Sequence, residues 1–127
     1  MQNALINAKT LIEKKILIQK KKTKPVHISI QDLGTFKFRT PDMSDVIDST
    51  SFKGGGHEDQ YLIYTCCEEP NLRDKELQET YECSEPFDIV DKIFLPGEIQ
   101  RTAKLLTEAC GYKEDAAKVV EEIKNEY

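Results

Sequence analysis

The sequence has 127 residues, of which 39% are hydrophobic and 32% charged, with no tryptophan. This length falls within the usual range for one domain, and the apolar content suffices for a core without disulfides or a structural metal. No apolar run is long enough to span a bilayer, and no secretory signal is recognisable. We therefore expect a cytoplasmic protein with a single domain, residues 1–127.

Charge is distributed unevenly along the chain. Residues 1–24 contain seven lysines and one glutamate, a net charge of +6, so the remaining residues carry −11 to give the total of −5. The basic segment is either a solvated helix face attracted to the acidic part, or an arm for nucleic acid or anionic lipid. The first interpretation is favoured, because the lysine run has no interleaved aromatic or arginine residues and the acidic part would repel phosphate.

An amphipathic helix followed by a β-hairpin is predicted for the first part of the chain. The residues that share one helical face within residues 1–24 are Leu5, Ala8, Ile12, Ile16 and Gln19. The runs VHISI, residues 26–30, and TFKFR, residues 35–39, then alternate apolar with polar residues, which is typical of strands. Asp32 and Gly34, which lie between the two runs, are residues that favour turns. The two predicted strands therefore form a β-hairpin.

A short helix is predicted after the hairpin, from Pro41 to about Ser49. Thr40 is a plausible N-cap, Pro41 suits the first helical position, and Asp42 in the first turn suits the helix dipole. Three consecutive glycines, residues 54–56, then interrupt any regular element, because glycine has a high backbone entropy to lose.

The next apolar run, DQYLIYTCCEE at residues 59–69, is interpreted as a buried helix. A strand remains open, because a continuous apolar run does not reveal its own period. Asn71 is predicted to cap the following helix, LRDKELQETY, together with Asp74 three residues later as in a capping box.

Three further helices are predicted towards the end of the chain. Ser84 and Pro86 open the segment FDIVDKIF, while Pro96 opens the next helix and Gly111 closes it. The last helix, residues 113–127, would share an apolar face consisting of Ala116, Val119, Val120 and Ile123.

These elements predict an α+β fold that is mostly α. One β-hairpin near residues 25–39 is followed by a bundle of short helices. An N-terminal amphipathic helix or arm, residues 1–24, precedes the hairpin and helical body, residues 25–127.

Glu98, in the sequence Pro96-Gly97-Glu98, is the carboxylate that most invites a catalytic interpretation. A structural role is enough to explain Glu98 at this position. Pro96 fixes φ where its missing N–H would lack a partner anyway, and Glu98 at the third helical position meets free backbone donors.

The cysteine and histidine residues give little support for a metal-binding or catalytic site. The four cysteines are Cys66, Cys67, Cys83 and Cys110. A metal site formed by His57 and the first three of them is disfavoured, because paired thiolate ligands normally lie two to four residues apart. The thiols are instead predicted to be small buried hydrophobic groups, and His27 to lie on the solvent face of its strand. We predict no catalytic residue, no cofactor and no metal.

Several motifs in residues 68–125 resemble a known family. They are Glu69-Pro70-Asn71-Leu72, the DKELQETY helix, PFDIVDKIFLPGEI, Cys110-Gly111-Tyr112 and the terminal VEEIKN. Together these motifs resemble the XkdN-like tail assembly chaperones of phages and prophages of Gram-positive bacteria. The hairpin VHISIQDLGTFKFRTPDM is more loosely similar to the earlier half of that family.

The resemblance implies a non-enzymatic protein of the host cytoplasm that is absent from the mature virion. Such chaperones are thought to coat the apolar, helical tape measure protein, to keep it soluble, and to help the tail tube protein polymerise around it. The resemblance identifies no partner-binding residues and leaves a homo-oligomer open. The alternative is a small nucleic-acid-binding or regulatory protein that uses the lysine-rich N-terminal segment.

Overall fold

A computed structural model describes residues 5–121 and confirms the predicted α+β fold, which is mostly helical. The helices are α1 (Ala8–Glu13), α2 (Lys15–Thr23), α3 (Met43–Ser51), α4 (Glu58–Cys66), α5 (Lys75–Thr80), α6 (Ile89–Ile93) and α7 (Pro96–Ala109). The strands are β1 (Val26–Ile30), β2 (Gly34–Phe38) and β3 (Cys67–Glu69). Short 3-10 turns cover Phe52–Gly54, Pro86–Asp88 and Glu114–Ala116.

Strands β1 and β2 form the predicted hairpin, and β3 adds a third antiparallel strand beside β2. Ile28 pairs with Phe36, and both are buried, whereas His27 lies on the exposed face as predicted. The turn has positive φ at Asp32 (70°) and at Gly34 (129°). Gly34 suits this backbone because it has no Cβ to clash there.

The apolar run at residues 59–69 forms both of the structures that the sequence left open. It is helical as α4 up to Cys66 and extended as β3 from Cys67. The change occurs where the edge of β2 offers backbone partners: Cys67 pairs with Phe38, and the Arg39 N–H donates to the Cys66 carbonyl at 2.9 Å. A tertiary contact therefore determines where the helix ends.

The core lies between the inner face of the sheet and helices α4, α6 and α7. Its fully or nearly fully buried members include Phe36, Phe38, Leu62, Ile63, Cys66, Ile89, Val90, Phe94, Ile99 and Leu106. The rings of Phe36 in β2 and Phe94 after α6 lie 5.2 Å apart, which joins the sheet to the helical layer. We call residues 26–112, which surround this core, the body.

Helix α3 begins two residues later than predicted. Its N-cap is Asp42, whose carboxylate accepts from the Asp45 N–H at 2.9 Å, while Asp45 accepts in return from the Asp42 N–H at 2.8 Å. This reciprocal capping box satisfies two free backbone donors, so Asp42 replaces the predicted cap, Thr40. The Thr40 hydroxyl instead donates to the Lys24 carbonyl.

The predicted cap of α5 is also wrong. Asp74 is the N-cap and accepts from the Leu77 N–H at 3.0 Å, whereas Asn71 accepts from the Arg73 N–H in a preceding turn. Asn and Asp both favour turns and caps, so a sequence with both at this spacing does not distinguish them. Helix α7 closes at Gly111 as predicted, with φ at 102°.

The N-terminal segment, residues 5–23, is helical from Ala8 as predicted but is interrupted at Lys14, between α1 and α2, and Leu5 of the predicted face precedes the helix. Asn7 caps α1 by accepting from the Thr10 N–H at 3.0 Å. No residue of α1 or α2 is buried. The apolar face that predicted the helix is thus not covered by the body.

The predicted last helix is wrong over the part that the structure describes. Residues 113–121 contain only the short turn Glu114–Ala116 and are exposed throughout. Val119, placed on the predicted apolar face, is 91% exposed. Without tertiary burial, a helix of this length is only marginally stable in water. Ile123 and the rest of the predicted helix lie outside the described residues.

Candidate functional site

Glu98, the residue that most resembled a catalytic acid, serves as a helix cap. Its Oε1 accepts from the Leu95 N–H at 2.8 Å, directly before α7. Pro96 occupies the first helical position, as the sequence predicted. The carboxylate is therefore engaged by one of the backbone donors that a helix start leaves free.

The cysteines and His57 do not converge on one site. Cys66 and Cys67 are buried at the end of α4, while His57 precedes its first turn. Burial raises the pKa of Cys66 to about 12 and that of Cys67 to about 11, so both thiols stay protonated at neutral pH and behave as small apolar groups. Within residues 5–121 no three potential metal ligands are grouped together.

An ion pair between Arg39 and Asp45 holds the end of the hairpin against α3. The Arg39 guanidinium donates to both carboxylate oxygens of Asp45, at 2.6 and 3.0 Å. The Arg39 hydrogen bond lowers the pKa of Asp45 below its ordinary value of 3.8, and the Asp42 backbone hydrogen bond adds to this. Asp45 is buried, and this bidentate pair links the residue that follows β2 to the first turn of α3.

An open groove lies where the start of α3 meets the end of α7, and we call it the apolar groove. It has a volume of about 190 Å³ and is lined by Pro41, Asp42, Met43, Val46, Cys110, Gly111 and Tyr112. Met43 is 68% exposed and Tyr112 54% exposed, so large apolar groups stand at its rim. Apolar side chains at the rim of a groove are contact points that an amphipathic helix of a partner uses.

A second groove, which we call the acidic groove, lies near the start of α7. It has a volume of about 500 Å³ and is lined by Gly56, Asp59, Gln60, Asp91, Phe94, Pro96, Ile99 and Gln100. The Gln60 amide donates to Asp91 at 3.3 Å, and burial raises the pKa of Asp59, with a further contribution from nearby Glu58. Carboxylates thus lie beside apolar side chains.

Gly56, the last residue of the glycine triplet, lines the acidic groove. All three glycines have positive φ, from 82° to 101°, so the chain turns there in a way that other residues rarely adopt. Before it, the Lys53 amino group pairs with Glu85 and lies 4.2 Å from the centre of the Phe87 ring. These contacts anchor the loop that carries Gly56.

The N-terminal segment carries six large, exposed apolar side chains. They are Leu5, Ile6, Leu11, Ile12, Ile16 and Leu17. The lysines of the same segment are Lys9, Lys14, Lys15, Lys20, Lys21 and Lys22. The segment is therefore a basic, amphipathic and uncovered surface.

Sequence reasoning did not identify either groove. Each groove combines residues from distant parts of the chain, such as residues 41–46 with residues 110–112. No local spacing records that these segments meet. The one available signal was a large apolar residue at an exposed helix position, such as Met43, and periodicity alone does not separate such a residue from the core.

Two exposed grooves and an uncovered amphipathic segment are features of a protein that binds other polypeptides. The sequence model of the phage XkdN-like tail assembly chaperone family matches residues 3–124, and the chain belongs to this family. This confirms the resemblance that the spaced motifs indicated. The family functions in phage tail assembly, is not a known enzyme family, and implies protein partners in that process.

The remaining comparisons add no relative. No curated protein and no solved structure matches the chain. Among residues 5–121, no helix combines the length and the apolar character needed to cross a membrane.

Proposed function

We propose that this chain is a non-enzymatic chaperone that binds the phage tape measure protein in the host cytoplasm. It keeps that protein soluble while the tail tube protein assembles around it, and it leaves before the virion is complete. Membership of the tail assembly chaperone family supports the general role. The observation that carries the specific proposal is the apolar groove between α3 and α7.

The groove suits a helical, apolar client. Met43 of α3 and Tyr112 after α7 line the groove and are exposed, and Val46 in its lining is partly buried. An amphipathic helix binds such a groove through residues repeated at three- and four-residue spacing. A chaperone that covers these residues lowers the concentration of free, aggregation-prone client by mass action.

Nothing in the proposal requires catalysis. Glu98 is engaged as a helix cap, and the raised pKa values of Cys66 and Cys67 disfavour their nucleophilic thiolate forms.

Co-expression with the tape measure protein encoded by the same phage tests the proposal. We expect the wild-type chain to move the tape measure protein from the insoluble to the soluble fraction. Met43→Asp and Tyr112→Asp place a charge in the groove and should abolish that effect, because burying an unpaired carboxylate is costly.

Leu33→Asp is the matched control. Leu33 in the hairpin turn is 54% exposed, as Tyr112 is, but lies outside the groove. It should solubilise the tape measure protein as well as the wild type does, and thermal melts should show that all variants fold. Aggregation of the tape measure protein at excess wild-type chain would contradict the proposal, as would equal losses in Leu33→Asp and Tyr112→Asp.

A further inference from the structure

The N-terminal segment and the acidic groove are complementary in charge. The segment combines lysines with exposed Ile12 and Ile16, and residues 1–24 carry +6 against −11 for the rest of the chain. The acidic groove combines Asp59 and Asp91 with exposed Pro96, while Phe94 and Ile99, which also line it, are almost fully buried. A basic helix is the kind of ligand that an acidic groove accommodates through charge complementarity.

The segment does not reach this groove on its own body. Only Lys24 and Pro25 connect α2 to β1, and the Thr40 hydroxyl donates to the Lys24 carbonyl. Proline fixes its own φ and keeps the preceding residue extended, so the connection is short and stiff. Folding the segment back onto the body would break this anchor.

The point where the segment leaves the body and the acidic groove lie at opposite ends of α7. The segment leaves the body beside Thr40 and Pro41, and Pro41 lines the apolar groove together with Cys110, just after the last residue of α7. The acidic groove includes Pro96, the first residue of α7. A helix of fourteen residues is about 21 Å long, which separates the point where the segment leaves the body from the acidic groove by roughly that distance.

We propose that the N-terminal segment of one copy of this chain binds in the acidic groove of a second copy. Because the two surfaces differ, two copies either exchange their segments reciprocally in a closed dimer or repeat the contact head-to-tail. Repetition of a head-to-tail contact produces a ring when the rotation closes and an open chain when it does not. The contact is distinct from the apolar groove, which stays free for a client.

Sedimentation velocity of the full-length protein over a range of concentrations tests this proposal. The wild type should self-associate at low salt and dissociate as salt screens the charged pairs. Reversing charge on either surface, with Lys15→Glu plus Lys22→Glu or with Asp91→Lys, should weaken self-association about tenfold or more. Ile12→Ser plus Ile16→Ser should weaken it already at low salt, since these variants remove apolar contact and leave the charges unchanged.

Two controls keep the test specific. Lys104→Glu and Asp48→Lys reverse exposed charges outside both surfaces and should leave association unchanged. The triple variant Lys15→Glu, Lys22→Glu and Asp91→Lys exchanges the charges of the two surfaces and should recover association.

Mixing separates the segment-to-groove contact from other arrangements. The Asp91→Lys variant keeps an intact segment, and the Ile12→Ser plus Ile16→Ser variant keeps an intact groove, so together they should form a one-to-one dimer that does not grow.

A wild type that stays monomeric at every concentration would overturn the proposal. Loss of association in the segment variants but not in Asp91→Lys would also overturn it, because the segments would then pair with each other. Tight, salt-dependent binding of duplex DNA by a monomeric chain would assign the segment to nucleic acid instead.

Discussion

Ile16 in α2 and Ile63 in α4 are the same residue type in helices of nine residues each, yet Ile16 is 67% exposed and Ile63 is fully buried. Both helices were predicted from apolar residues in the sequence. The body surrounds α4 with the sheet and α7, whereas no part of the body covers α2. An apolar pattern therefore predicts an element, and the fold decides whether that element belongs to the core or to a binding surface.

The two regions also use charge differently. In the body, the Arg39–Asp45 pair is held by two hydrogen bonds and joins two elements. In the N-terminal segment, the lysines are exposed and lie beside apolar residues. The first arrangement stabilises one fold, and the second stays available to a partner of opposite charge.

Matched truncations should separate the two regions most strongly. Ile63→Ala leaves a cavity in the core and should reduce the free energy of unfolding by about 3 kcal/mol. Ile16→Ala removes an exposed side chain and should change it by less than about 0.5 kcal/mol. Urea unfolding at a concentration low enough to prevent association would measure both. Similar losses in both variants would show that the segment packs against the body.

Breaking the pair between the hairpin and α3 should have the next largest effect. Arg39→Ala leaves the buried Asp45 carboxylate without its main partner. Because Arg39 is itself 37% exposed, we expect a loss of about 2 kcal/mol rather than the larger cost of a fully buried pair. Lys37→Ala is the control, since Lys37 and Glu68 form an exposed pair at 3.8 Å, worth less than about 0.5 kcal/mol. Equal effects in the two variants would be inconsistent with this account.

The helix caps Asp42 in α3 and Asn7 in α1 allow a comparison in which the expected effects are smaller. Asp42→Ala removes the cap of α3 in the body and should lower the free energy of unfolding by about 1 kcal/mol. Asn7→Ala removes the cap of α1 and should reduce the helix signal in circular dichroism with no change in the unfolding midpoint. A shift of the midpoint in Asn7→Ala would indicate that α1 is coupled to the body.

Acid should weaken the body through Asp45. Its pKa is lowered in the folded protein, mainly by the Arg39 hydrogen bond, so the unfolded state binds more protons between the folded and unfolded pKa values. The stabilisation is fully present above the unfolded value, about 3.9, and is lost as pH falls through the folded value. Urea unfolding between about pH 5 and pH 2 should show a steeper loss for the wild type than for Asp45→Asn. If stability fell equally with pH in the wild type and in Asp45→Asn, Asp45 would not be the cause of the loss in acid.

Local patterns predicted much of the body correctly. Strict alternation identified β1 and β2, and the Asp32 and Gly34 turn residues fixed their connection. Pro96 with Glu98 correctly predicted the start of α7. Caps were less certain where two suitable residues stood close together, as with Thr40 and Asp42, because the choice depends on which backbone donors each side chain meets.

Features that depend on tertiary contact were not predictable in this way. The end of α4 at Cys66 is set by pairing with β2, and the part of the last predicted helix within residues 113–121 lacks a partner that would stabilise it. The grooves combine distant segments, so no spacing in the sequence indicates them.

Hydrogen exchange of the full-length protein, measured by mass spectrometry on a dilute sample, tests most directly whether the N-terminal segment stands apart from the folded body. We expect backbone amides of residues 8–23 to exchange more than about a hundredfold faster than those of residues 100–109 in α7, because only the latter require the body to open. Equal protection of the two helices in dilute monomer would contradict the account, since α2 would then be part of the folded core.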